Sequence, residues 1–186
     1  MNPMDNPTYP AAEGRIVCQF SCGAASAVAT KLALAQYGDR CVIVNAYIEE
    51  EHSDNRRFSA DCEAWFCRSI VNLRDTKYDA SAIKVFETVG FIKSRRGAAC
   101  TLRIKRGLLD SWKEPHDVMV LGYTAEEADR ADDFRDRNPS REVLFPLIER
   151  GLTKEDCKAM VERAGLKLPE MYLLGYDNAN CIGCVK

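Results

Sequence analysis

Phe20-Ser21-Cys22-Gly23-Ala24-Ala25-Ser26-Ala27-Val28 is the stretch whose reading decides the fold. It follows the apolar run Ile16-Val17-Cys18-Gln19 and opens a segment, Ala25 to Tyr37, in which Val28, Ala29, Leu32 and Ala35 recur at helical spacing. The pattern predicts a strand, a tight turn and a helix. A turn of small residues lets the backbone approach a ligand, and the unpaired N–H groups and positive dipole end of the helix suit a phosphate or sulfate. Ser21, Cys22, Gly23, Ala24, Ala25 and Ser26 are therefore candidate binding residues, with the two serines adding hydroxyl donors. The plain alternative is a strand-to-helix connection kept small for packing. Neither G-x-x-x-x-G-K-S/T nor G-x-G-x-x-G occurs here, so a Walker loop and a dinucleotide fingerprint are both excluded.

Working outward, Cys41 to Tyr47 reads as a buried parallel strand. It ends in Glu49-Glu50-Glu51-His52 at the edge that faces the ligand crevice in open α/β sheets. The glutamates read as solvated loop charges and His52 as a candidate nucleotide contact. Asp54 is the expected N-cap of a helix reaching Cys67, with Phe58, Cys62, Trp65 and Phe66 on one face. A strand at Ile70 to Leu73 and a helix at Ala80 to Val89 complete βαβαβα, the pattern of a doubly wound, mostly parallel α/β sheet flanked by helices. The chain has 186 residues, 46% hydrophobic and 29% charged, which suits one globular domain over 15–186. Residues 1–14 carry three prolines and no periodicity, and read as a flexible arm without an apolar signal region. No apolar run approaches membrane-spanning length, so a cytoplasmic protein without a membrane partner is expected. A net charge of −2 gives no global support for nucleic-acid binding.

Local charge differs. Lys93, Arg95, Arg96, Arg103, Lys105 and Arg106 fall between Lys93 and Leu109 without an acidic residue among them, which implies an anionic partner. Thr101 to Trp112 reads as a helix with Ile104, Leu108, Leu109 and Trp112 inward. Cys100 then stands near a helix N-terminus, where a thiolate is favoured. Asp117 to Tyr123 is a further strand, and Thr124 with Glu127 forms a capping box. Val143 to Ile148 reads as a last strand, followed by a helix from Thr153 that buries Cys157, Met160 and Val161.

Taken in order, these segments resemble the phosphoadenosine phosphosulfate (PAPS) reductase family of the adenine nucleotide alpha-hydrolase-like (PP-loop) superfamily. Ser21, Gly23 and Ser26 fit its S-G-G-x-D-S loop, with Cys22 in place of the first Gly and Ala25 in place of the Asp. Cys100-Thr101 with Lys105 is similar to the family's Cys-Thr-x-x-x-Lys. Gly122, Glu127 and Arg130 match Gly-x-Arg-x-x-Glu-Ser-x-x-Arg, where Thr124 replaces an Arg. The end of the chain, Pro169 to Cys184, is similar to Pro-x-x-Tyr-x-x-Gly-Tyr-x-x-x-x-Cys-x-x-Cys. The resemblance implies an adenine nucleotide, PAPS or ATP, as substrate. It also implies Cys100, Lys105 and Cys184 as catalytic residues, Arg103, Gly122, Glu127 and Arg130 as further nucleotide contacts, and a thiol reductant protein as partner. A homodimer is the expected assembly.

Nine cysteines in an intracellular chain more often lie buried, bind metal or do chemistry than form disulfides. Cys181-Ile182-Gly183-Cys184 can chelate one metal or act as a redox couple, and unligated thiols are the third option. Family members with an iron–sulfur cluster imply Cys100, Cys181 and Cys184 as metal ligands, in preference to zinc. The fourth ligand is open between Cys22, Cys67 and none. The family's C-terminal Glu-Cys-Gly-x-His tail is absent, so three functions follow: thiol- or cluster-dependent reduction of activated sulfate, ATP-dependent sulfur transfer to a nucleic acid, and a nucleotide-binding module that has lost catalysis.

Overall fold

The computed structural model describes residues 14–95 and 97–184; the expected arm except Gly14, and Arg96 of the basic segment, fall outside the described residues. Strand β1 (Ile16–Gln19) is the centre of a five-stranded parallel sheet, with β2 (Cys41–Ala46), β3 (Ile70–Leu73), β6 (Val118–Val120) and β7 (Val143–Leu144) in the order β3-β2-β1-β6-β7. Ile16 lies opposite Cys41 on one side and Val118 on the other. Flanked on both edges and both faces, β1 takes apolar residues at successive positions, and Ile16, Val17 and Cys18 are all buried.

From β1 the chain winds outward through helix α1 (Ala24–Tyr37), β2, helix α2 (Asp54–Phe66) and β3, then returns across the sheet to β6. The reversal falls between β1 and β6. Loops at the carboxyl ends of these two strands run apart there and leave a crevice. Alternation along β6 marks the two covered faces. Val118 and Val120 join the core made with α1, α2 and α7 (Lys154–Arg163), while Met119 and Leu121 pack with Ala131 and Phe145 on the other face. The inward residues of α1 are mostly small, Ala24, Ala27, Ala29 and Ala33, which brings its axis close to the sheet. Cys62 and Cys157 are core residues, as their periodicity predicts. No helix among the described residues is long and apolar enough to cross a membrane.

Several local readings are corrected. Asp54 occupies the first helical position of α2 and Ser53 precedes it without a side-chain cap. The Asp54 carboxylate is taken by Arg57 and by the Glu170 N–H, 2.8 Å away. The strand expected from Val143 to Ile148 stops at Leu144, because Pro146 starts a short helix, α6 (Pro146–Glu149), where its missing N–H costs nothing. Between α3 (Ala82–Val89) and the next helix, the strands β4 (Lys93–Ser94) and β5 (Gly97–Ala98) form an antiparallel pair that the sequence did not reveal. The basic helix is interrupted: Thr101–Arg106 is a π-helical turn continued by α4 (Gly107–Trp112).

Candidate functional site

The turn after β1 is held by its own serines. Ser26 Oγ donates to the Gly23 carbonyl at 2.9 Å and accepts from the Ser21 N–H at 3.1 Å and the Ser21 hydroxyl at 3.2 Å. Gly23 is extended, and the Ala24 N–H of α1 donates to the Tyr172 hydroxyl at 3.1 Å. No side chain among the described residues accepts from the N–H of Ala25 or Ser26. Gly122, at the end of β6, passes this turn so closely that a Cβ there would stand 2.8 Å from the Ser26 Cα. Its position in the crevice therefore depends on the absence of a side chain.

The crevice measures about 570 Å³ and opens at the carboxyl ends of β1, β2 and β6. Of the predicted residues it brings together Ser21, Gly23, Ala25, Ser26, Lys105, Gly122, Glu127 and Arg130. Ala24 and Cys22 are buried behind it. Arg103 is exposed outside it, and the cation of that turn that joins Lys105 in the lining is Arg106. Two further lining residues were missed, Lys154 at the start of α7 and Tyr172 on α8 (Glu170–Leu173). Neither Arg106 nor Lys154 has an ion-pair partner among the described residues. Arg130 is paired with Glu127 and lies over Tyr123, while Glu127 also accepts from the Thr124 N–H, so the capping box is real. The Thr101 hydroxyl, in the same wall, is buried without a hydrogen-bond partner.

Lys105 is not free to meet an anion. Its ammonium lies 2.7 Å from a Glu51 carboxylate that is only 8% exposed, so Glu51 is an interior ion-pair partner and not a solvated loop charge. Burial disfavours the Lys105 ammonium, but Glu51 outweighs it and raises the Lys105 pKa, so the ammonium keeps its charge. Glu50 is also engaged, accepting from the Ser81 hydroxyl and from the N–H groups of Ala82 and Ile83 at the start of α3. Beside the Lys105–Glu51 pair the C-terminal segment comes in: Cys181 bridges Glu51 through the backbone and packs, with Cys100, against the cluster of Ile48, Val85 and Ile104. Cys184 is near enough to influence Cys181. Burial, and then the Glu51 charge, push the Cys181 thiol up to about 12 against the pull of Lys105. Cys22 is likewise raised to about 12. Among the described residues, no group of three or more His, Cys, Asp or Glu side chains is arranged to hold a metal ion. Cys67 is exposed at the end of α2. His52 lines a second cavity and not this crevice.

No protein-family model matches the chain, and comparison with curated proteins gives no match.

Proposed function

We propose that the crevice binds an adenine nucleotide by its phosphate or sulfate end, and that the chain is a PAPS-reductase-like enzyme of sulfur metabolism. One observation carries the reading: at the reversal of strand order, the N-terminus of α1 meets Arg106 and Lys154, two cations without ion-pair partners among the described residues, around a single crevice. In the reaction, a cysteine thiolate attacks the sulfur of the activated sulfate, the S–O bond to the nucleotide phosphate breaks, and the nucleotide leaves. The product is an S-sulfocysteine. A dithiol reductant protein then attacks the cysteine sulfur, releasing sulfite and ending as the oxidised disulfide partner. Cys100 and Cys184 are the proposed nucleophiles; neither they nor Cys181 line the crevice, so the reaction requires one of them to move toward the bound sulfate, and burial, which raises the Cys181 thiol, disfavours that residue. Arg106 and Lys154 orient the departing phosphate.

Thiols are the right donors for an iron–sulfur cluster, and Gly183, at φ +71, turns the chain back between Cys181 and Cys184. The three sulfurs are not in ligand geometry, so cluster binding requires Cys100, Cys181 and Cys184 to converge further.

Two contacts favour a second reading, a nucleotide-binding module without turnover: Tyr172 occupies the first amide of α1, and Glu51 occupies Lys105. Calorimetry with PAPS and ATP, paired with sulfite release in the presence of a dithiol, separates the readings. Binding with sulfite release supports the reductase. Binding alone supports the module, pyrophosphate release from ATP only with a nucleic-acid acceptor supports a sulfurtransferase, and no binding of either nucleotide overturns all three. Iron and sulfide analysis of anaerobically purified protein decides the cluster.

A further inference from the structure

Cys181 and Cys184 lie at the two ends of one closed turn. The Cys184 N–H donates to the Cys181 carbonyl at 3.1 Å across Ile182 and Gly183. Gly183 stands at φ +71 while Ile182 is not left-handed, the combination of a type II turn. Such a turn holds its first and last Cα atoms within about 7 Å of each other. A disulfide spans Cα separations of roughly 4.4–6.8 Å, so the turn brings the two cysteines to bonding range by backbone alone. Metal chelation lacks the further ligands it needs, since among the described residues no group of three or more His, Cys, Asp or Glu is arranged to hold an ion. A dithiol needs none.

The inner limb of the turn is fixed and the outer limb is open. Cys181 bridges Glu51 through the backbone and packs against the cluster of Ile48, Val85 and Ile104. Ile182 is 67% exposed, and nothing stands within 4 Å of where a Gly183 Cβ would be. A small oxidant therefore reaches the turn without unfolding the chain. Cys18 and Cys41 are also neighbours, but at 0% and 2% exposure they are sealed in the core. Cys100 packs on the same cluster as Cys181, yet it belongs to another element, at the start of the π turn.

We propose that Cys181 and Cys184 form a dithiol/disulfide couple that exchanges with low-molecular-weight disulfides, in place of ligating a metal. Cys184, at the open end, attacks one sulfur of a disulfide RSSR as its thiolate. The S–S bond breaks, one RSH leaves with a proton, and a mixed disulfide remains on Cys184. Cys181 then loses its proton and attacks the Cys184 sulfur, expelling the second RSH. Two protein thiols are oxidised to one disulfide while RSSR is reduced to two RSH. The inference does not rest on the nucleotide reading.

For the test, the reduced full chain is equilibrated without air in mixtures of reduced and oxidised glutathione, quenched with acid, alkylated and cut with trypsin. The peptide from Leu168 to Lys186 carries Cys181 and Cys184 and no other cysteine. It is expected to become lighter by two hydrogens and resistant to alkylation, with this disulfide exceeding the mixed glutathione adduct by about tenfold or more. Cys67, exposed on another element, should give only the mixed adduct. Gly183→Ala strains the left-handed position without touching a neighbour, and should lower the ratio of disulfide to dithiol roughly fivefold or more at a fixed glutathione mixture. Cys181→Ser should leave Cys184 with the mixed adduct alone; where circular dichroism shows that variant unfolded, Gly183→Ala carries the test. Mixed adducts without the internal disulfide, a disulfide joining Cys100 to either residue, a ratio unmoved by Gly183→Ala, or bound iron or zinc that shields both thiols from alkylation would each overturn the proposal. Nucleotide is absent throughout, so failure here is read separately from failure of PAPS and ATP to bind.

Discussion

Asp54 and Arg57 form a two-pronged charged contact on α2, with two hydrogen bonds of 2.7 Å between guanidinium and carboxylate. Those bonds outweigh burial and, with the Glu170 N–H, hold the Asp54 carboxyl at about 2. A folded-state value below the unfolded value of about 3.9 stabilises the fold above that pH, and the contribution is lost as pH falls from about 4 toward 2. Asp54→Asn should lower stability at pH 7 by about 1 kcal/mol, given the partial exposure of Arg57, and flatten the loss between pH 4 and 2. Urea unfolding at pH 7, 4 and 2.5 measures both. A cysteine comparison belongs at the same scale. Cys22 is 2% exposed and held as a thiol, whereas Cys67 is open to solvent. Iodoacetamide at pH 7.5 should therefore modify Cys67 on the order of tenfold or more faster than Cys22, a difference that mass spectrometry reads and that denaturant removes.

The N-terminus of α1 is the element on which the site depends, and it is pinned from two directions. Gly122 packs against its first turn, and Tyr172 meets its first amide. Gly122→Ala places a methyl group 2.8 Å from the Ser26 Cα, where only movement of the helix relieves the overlap. The expected cost is about 1–3 kcal/mol, together with loss of nucleotide binding in calorimetry. Tyr172→Phe acts in the opposite sense on the ligand. It removes one hydrogen bond, costing about 1 kcal/mol of stability, and tightens nucleotide binding because the anion no longer displaces the hydroxyl. Thermal unfolding and titration of the same variant separate the two effects; weaker binding by Tyr172→Phe would show that the hydroxyl assists the ligand.

Across the whole molecule the net charge of −2 conceals a crevice in which Arg106 and Lys154 lack ion-pair partners among the described residues. Changing both to Gln should weaken PAPS or ATP binding by about 10- to 100-fold, with the difference shrinking as salt rises. The alternation and helical spacing of apolar residues carried the parallel sheet, α1, α2 and the core positions of Cys62 and Cys157, because burial on one face repeats at short intervals along the chain. The Thr124–Glu127 box was legible for the same local reason, since its partners lie three residues apart. Four features of the site were not legible. Arg106 replaced Arg103 in the lining because the π turn, with i to i+5 bonding, redistributes side chains around the helix. Cys22 lines the neighbouring cavity and not the crevice, and its backbone is left-handed, which no local pattern announces. Glu51 found Lys105 across 54 positions, and Tyr172 found Ala24 across 148. The sequence alone determined the strands and helices that build the parallel sheet and its core, since those follow from local periodicity; the folded chain decided the short β4–β5 pair, the π turn, which charges are cancelled and which amides are covered, because those features join or reshape residues whose separation along the chain carries no repeating signal.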